Sequence, residues 1–213
     1  MVRVLRALLV GGLFAPVALA QAAQAAPQVA ELQARLQAGR AHYDAGKYDP
    51  AIKEFRAAVK AAPNDAWAHL WLARALGRRI KKINPIRAAF GVGEVRSEFE
   101  RAVQLDPNNV EARSDLMEFY LEAPGVFGGG IDKARAQAEA IAKLNTAEGH
   151  SARARIAEKE KKYDEAEREY RAAIDAKPDQ PGYRRDLEKF WKRRGMPDKQ
   201  ADIHEQETVG RRQ

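Results

Sequence analysis

The 213-residue chain has no cysteine, only three methionines and three tryptophans, and no unbroken apolar run as long as a membrane span. The missing cysteine excludes disulfides, thiolate metal sites, thiol catalysis and a lipid anchor on a cysteine. Any core must therefore hold by packing. Hydroxyl and imidazole groups are scarce too: the serines are Ser97, Ser114 and Ser151, the threonines Thr146 and Thr208, and the histidines His42, His69, His150 and His204. No two histidines have the four-residue helical spacing of a metal pair. A nucleophile, base or metal needs a partner within hydrogen-bond reach, and no motif here promises one. The expectation is a non-catalytic chain with no cofactor and no metal. An acid and base assembled from distant carboxylates is the enzyme reading left open, with His69 between Trp67 and Trp71 the most suggestive histidine and a packed hairpin-interface role its commoner outcome.

The apolar run at the start, Ala7 to Ala20, follows Arg3 and Arg6 and falls short of the ~20 residues a bilayer span needs. Small residues follow in the order a signal peptidase accepts, Ala18-Leu19-Ala20 before Gln21 or Ala23-Gln24-Ala25 before Ala26. We read residues 1–20 as a cleaved secretory leader, 21–30 as a flexible lead-in and the mature chain as periplasmic or secreted, with no membrane span left after cleavage. The alternative, a short anchor that stays attached, is disfavoured by the length of the run. Formal net charge is +7, and losing Arg3 and Arg6 lowers it to about +5, which does not by itself call for nucleic acid.

One pattern recurs along the rest of the chain. Gly46-Lys47-Tyr48-Asp49-Pro50-Ala51 leads to Phe55, Ala58 and Pro63, and Lys162-Tyr163-Asp164-Glu165-Ala166 leads to Tyr170, Ala173 and Pro178 with the same offsets. Residues at i, i+4 and i+7 share one helix face, which must be buried, and proline then stops the helix. Two altered copies lie between: Val95, Phe99, Ala102 and Pro107, then Ala134, Ala138 and Ile141 with Thr146 in place of proline. Upstream of each stands a partner helix with small or apolar residues at Ala38-Gly39, Leu72-Ala73, Leu116-Met117 and Ala154. A last helix with Leu187, Phe190 and Trp191 is the first half of a fifth unit, whose polar mate at 200–206 reads as a cap.

On these residues the chain resembles the tetratricopeptide repeat proteins, whose helical hairpins repeat every ~34 residues. The resemblance covers 31–206, as units 32–65, 66–109, 110–146, 147–180 and a partial 181–206, with 207–213 as a tail. The stretch 98–145 also resembles an exported bacterial subgroup, which implies no role. Anchors Ala51, Val95, Ala134 and Ala166 lie 44, 39 and 32 residues apart, so two segments are inserted. The resemblance implies an all-α, right-handed α-solenoid whose first helices line a concave groove. The four-residue stripe predicts Leu36-Arg40, Leu70-Arg74-Arg78, Ser114-Glu118-Glu122, Ser151-Arg155-Lys159 and Arg185-Lys189-Arg193 on that face. Arg40, Arg74, Arg155 and Lys189, with Arg78, then form a basic ladder for an acidic segment of a protein or peptide, while Leu36, Trp67 and Leu70 grip its apolar side chains. Glu111, Glu118 and Glu122 interrupt the ladder.

The first insertion, 78–93, mixes Arg78, Arg79, Lys81, Lys82 and Arg87 with Ile80, Ile83, Ile86 and Phe90 around Pro85. An anionic surface is one use for it; an extended helix end whose apolar side covers the neighbouring hairpin is favoured. The glycine-rich stretch Ala123–Gly130 suggests a phosphate cradle, yet no Gly-Lys-Ser/Thr follows and no strand precedes, so a tight turn with glycine at positive φ is the better reading. Together these residues favour a scaffold or adaptor in the bacterial cell envelope. A chaperone-like holder of exported clients is the alternative, an enzyme or an anionic-surface binder lesser ones, and nucleic acid is not an expected client.

Overall fold

The computed structural model describes residues 15–82 and 84–196, and no strand occurs among them. Helices α1 (Ala15–Asp44), α2 (Tyr48–Ala61), α3 (Ala66–Ile80), α4 (Pro85–Leu105), α5 (Val110–Glu122), α6 (Ile131–Leu144), α7 (Thr146–Lys159), α8 (Tyr163–Ala176) and α9 (Pro181–Arg193) follow in order. Each packs against the next, and α1 also reaches α3 as α5 reaches α7. This is an all-α solenoid of stacked hairpins. The first part of the expected leader, 1–14, the mate of α9 at 200–206 and the tail lie outside the described residues. No described helix is long and apolar enough to cross a membrane.

The recurrent positions are the seams. Ala51, Phe55 and Ala58 are fully buried, as are Ala166 and Ala173, while Val95, Phe99, Ala102, Ala134, Ala138, Ile141 and Tyr170 are buried in the corresponding places. Burying one such large side chain contributes roughly 1.5–3 kcal/mol. The small partner residues make room for the rings. A methyl group added to Gly39 would sit 2.4 Å from the Phe55 ring, and one on Gly149 would sit 2.5 Å from the backbone of Ala142. Helices α1 with α2 and α6 with α7 can meet this closely only where a side chain is missing.

Turn chemistry sets the boundaries. Helices α2 and α4 end before Pro63 and Pro107, and two residues later Asp65 and Asn109 open α3 and α5 by accepting hydrogen bonds from the N–H groups of Ala68 (2.8 Å) and Ala112 (2.9 Å). Such a cap satisfies an N–H that the first helical turn leaves without a partner. Where proline is absent, Asn145 closes α6 and caps α7, accepting from the Glu148 N–H at 3.1 Å. In the glycine-rich stretch Gly128 adopts φ +88°, and a Cβ on Gly129 would collide with the carbonyl oxygen of Ala123. The glycines are there to turn the chain through a 3-10 turn at Gly125–Phe127.

Three expectations need correction. Residues 21–30 are helical and continue into α1, since a stretch rich in alanine and glutamine favours helix over a flexible lead-in. The first insertion does not turn its apolar side wholly inward: Ile80 packs against the core, but Phe90 is 87% exposed. Leu70 and Ser151, expected in the groove, are buried at 0% and 1% exposure. A strict four-residue stripe drifts on a 3.6-residue helix, and Leu70, one position from the true groove line, gains more from the core.

The seams predict opposite outcomes for two glycines. Gly39→Val should destabilise the array by about 3 kcal/mol through overpacking against Phe55. Gly93, inside α4 with open space around its Cα, should gain about 0.5–1 kcal/mol as Gly93→Ala from helix propensity alone. Urea unfolding followed by circular dichroism measures both.

Candidate binding groove

The first helices of the hairpins, α1, α3, α5, α7 and α9, line one face. On α3 the groove line is Trp67, Trp71, Arg74 and Arg78, a spacing of four, three and four that follows the helical period. At the N-terminal end a compartment of about 630 Å³ is lined by Leu36 and Arg40 of α1, by Asp65, Trp67 and Trp71 around the start of α3, and by Glu111 of α5. Trp71, which the stripe argument missed by one position, is its floor. Its indole stacks on Phe55 with centroids 5.9 Å apart and meets Tyr43 edge-on at 5.5 Å. The Arg40 and Arg74 guanidiniums lie over it at 4.9 and 4.8 Å, within the range of a cation–π contact. Trp67 stands at the rim, 43% exposed.

Most of the expected basic ladder is already occupied by carboxylates of the chain itself. Arg74 is bound by Glu111 at 2.6 Å and by Asp115 of the next hairpin. Burial alone would lower its guanidinium, yet Asp115 and Glu111 hold it above the ordinary range, while burial pushes the Asp115 carboxyl up against the pull of Arg74. Arg155 lies between Glu118 (3.6 Å) and Asp186 (3.9 Å), and Lys189 is 3.4 Å from the same Asp186. Lys159 pairs with Glu122 at 3.3 Å, and Arg193 forks onto Glu158 at 2.7 and 2.8 Å. Arg78 donates to the Tyr43 hydroxyl at 3.1 Å. Arg40 alone among the expected rungs makes no hydrogen bond or ion pair within the described residues. The acidic residues that meet these cations come from adjacent first helices, 31 to 41 positions away, for Arg74, Arg155, Lys159 and Arg193, and from the same helix for Lys189.

Of the groove residues named from sequence, then, Leu36, Arg40 and Trp67 come together around one compartment. Leu70 lies in the core, where no partner can reach it. Arg74, Arg155 and Lys189 form ion pairs along the groove, and Arg78 closes the edge of the first two units. The C-terminal compartment, about 610 Å³, is lined largely by charged residues of these pairs and by Tyr163 and Tyr170.

The few catalytic candidates are structural in their contacts. His69 is buried, with Nδ1 2.6 Å from a Glu98 carboxylate oxygen and Nε2 3.0 Å from the Pro63 carbonyl, so it ties α3 to α4 and to the preceding turn. His150 contacts Glu169 at 2.8 Å. Ser97 donates to the Glu94 carbonyl and Ser114 to Glu148, and among the described residues no serine hydroxyl meets a histidine. Nor do three or more potential metal ligands gather there. Tyr120 and Tyr183 are pushed up to about 12 by burial with Glu100 and Glu148 beside them, so both remain hydrogen-bond donors at neutral pH. His204 and Thr208 lie outside the described residues.

These pairings predict different fates for two groove arginines. Arg74→Glu leaves three carboxylates facing one another and should cost about 2 kcal/mol, less than breaking a buried pair because Asp115 and Glu111 keep part of their surface in water. Arg40→Glu, at the open end, should cost no more than about 1 kcal/mol, the worth of its exposed cation–π contact with Trp71. Thermal and urea unfolding of the two variants distinguishes them.

Two repeat-family models match the sequence, one described as TPR repeat over residues 39–78 and one as tetratricopeptide repeat over 126–181. Among solved structures, Pseudomonas aeruginosa PilF is similar with a TM-score of 0.60 at 15% identity, over 84% of this chain and 78% of that one. A MamA from Desulfovibrio magneticus RS-1, starting at its residue 41, gives 0.54 at 13% identity, over 86% and 97%. A further MamA structure gives 0.52 at 18% identity, over 81% and 96%. At such identities the likeness is one of fold. No curated protein sequence matches the chain. The buried alanine and aromatic seams, the stacked hairpins and the two repeat matches lead to one conclusion: the chain is a tetratricopeptide repeat protein, of a fold whose general use is protein–protein interaction.

Proposed function

We propose that this chain is a non-catalytic adaptor of the bacterial cell envelope that holds one partner segment at the N-terminal end of its groove. The observation that carries this reading is the compartment formed by Leu36, Arg40, Trp67 and Trp71. It combines exposed aromatic surface with a cation that no carboxylate of the described chain neutralises. Tryptophan and arginine are the side chains that most often dominate binding energy at interfaces. The segment that suits it carries an apolar side chain for the Trp67 rim and one carboxylate for Arg40. A uniformly acidic segment does not suit the groove, because the other cations already have partners and Glu111, Glu118 and Glu122 would repel it.

The placement outside the cytoplasm rests on the sequence of the leader, Arg3 and Arg6 before an apolar run followed by signal-peptidase-type alanines. N-terminal sequencing of the protein recovered from a periplasmic extract should read from Gln21 or Ala26. Recovery from the cytoplasm with Met1 intact would remove that part of the proposal.

Capture tests the groove itself. Arg40→Glu and Trp67→Ala should each weaken retention of the native partner at least tenfold, about 1.4 kcal/mol, in a crosslinking pull-down while the circular dichroism spectrum stays that of the parent. Retention unchanged in both variants would overturn the N-terminal compartment as the site. Competition by a panel of unfolded proteins as strong as that of the defined partner segment would turn the reading towards a holder of exported clients.

A further inference from the structure

Apart from the groove, the two inserted segments end up side by side. In the stack, turns that follow α1, α3, α5 and α7 gather at one edge, and turns that follow α2, α4, α6 and α8 gather at the other. Cross-unit contacts fix this arrangement: Arg79 reaches Asp49 at 2.6 Å, Lys82 lies over Tyr48 at 4.5 Å and Lys159 reaches Glu122 on the first edge, while Tyr183 donates to Glu148 on the second. Helix α4 starts seven residues earlier, relative to its buried Val95, than α2, α6 and α8 start relative to Ala51, Ala134 and Ala166. That extension carries α4 roughly 10 Å past its neighbours at a helical rise of ~1.5 Å per residue. The second insertion, with its 3-10 turn, packs against α4.

Both insertions present an apolar side chain at this edge. Phe90, on the extension, is 87% exposed, and Val126, at the centre of the 3-10 turn, is 85% exposed; they are the two most exposed large apolar residues among those described. The charge around them is lopsided. Segments 44–49, 78–82, 122–133, 159–165 and 192–194 hold twelve lysines and arginines against seven acidic residues, whereas the opposite turns at 60–66, 104–111, 143–148 and 175–182 hold three against six. Some of these cations are matched locally, but Lys47, Lys81 and Lys161 make no ion pair within the described residues. Lys81 and Lys161 also border the C-terminal compartment of the groove, but Phe90 and Val126 line neither compartment and take no part in the buried seams.

We propose that this edge docks on an anionic phospholipid bilayer, with Phe90 and Val126 entering the interface between headgroups and acyl chains. A protein partner would be met more naturally by a concave patch with buried anchors. Here the apolar side chains protrude, and the surplus charge is spread over several turns, which is the form of a peripheral membrane contact that combines a few apolar insertions with diffuse attraction to acidic lipid. The inference stands independently of what the groove holds. It would present the groove to a partner at a membrane surface.

The absence of cysteine allows a direct test on the full chain. Phe90→Cys, Val126→Cys and, on the opposite edge, Asp179→Cys are each labelled with an environment-sensitive fluorophore and mixed with vesicles. With mixed phosphatidylcholine and phosphatidylglycerol, emission at positions 90 and 126 should rise severalfold and shift to the blue, be reversed by high salt and be weakened by Lys81→Glu with Lys82→Glu. The label at 179 should not respond. No response at 90 and 126, an equal response at 179, or an equal response to pure phosphatidylcholine would each overturn the proposal. A response to polyglutamate without one to vesicles would overturn it too, in favour of an acidic protein.

Discussion

Everything in this molecule depends on the fit of an aromatic ring or its apolar equivalent on the second helix of each hairpin into space left by small side chains on neighbouring helices. Phe55 against Gly39 is the tightest instance, with no room for even a methyl group between them. A single hairpin cannot keep such a seam from water, so each unit is stable only when another covers it. The buried clusters reflect that: one runs from Ala51 to Ile156 across the first four hairpins, and a second joins Ala154, Tyr170, Phe190 and Trp191 at the C-terminal end. No cysteine or metal ligand cluster among the described residues supplements this packing.

The same stacking brings charged residues of successive first helices into register, and this decides what the groove can do. From α3 onwards the cations of one unit meet the carboxylates of an adjacent unit, as in Arg74 with Asp115, Lys159 with Glu122 and Arg193 with Glu158. Exposed pairs contribute little to stability individually, but they cancel the field that a charged ligand would need. Between α1 and α3 the bridging group is instead the Trp71 indole under two guanidiniums. The groove is therefore uneven along its length, with an aromatic, singly cationic end and a charge-balanced remainder. In the proposed adaptor, the recognition energy is concentrated at the first end.

The fold was legible in the sequence because its determinants are local and periodic. Ala51, Phe55 and Ala58, and their counterparts through Ala166, Tyr170 and Ala173, announce the buried faces by spacing alone. Pro63-Asn64-Asp65 and Pro107-Asn108-Asn109 announce where one helix stops and the next is capped. The groove was only partly legible. Leu36, Arg40 and Trp67 could be placed, but a rotation of one residue on α3 separates buried Leu70 from groove-lining Trp71, and both are apolar, so polarity could not fix the phase. The partners of Arg74 and Arg155 were hidden for a different reason: they come from helices more than thirty residues away, and side-chain pairing across units leaves no periodic trace. The positions of Phe90 and Val126 at one edge likewise emerge only when both insertions are set on the stack.

The claim that the first two units hold the partner is tested most directly by amide hydrogen exchange of the chain with and without its captured segment. The account predicts added protection on α1 around Leu36 to Arg40 and on α3 around Trp67 to Arg74, with little change on α7 and α9. Protection concentrated instead on α7 and α9, around Arg155 and Lys189, would contradict it.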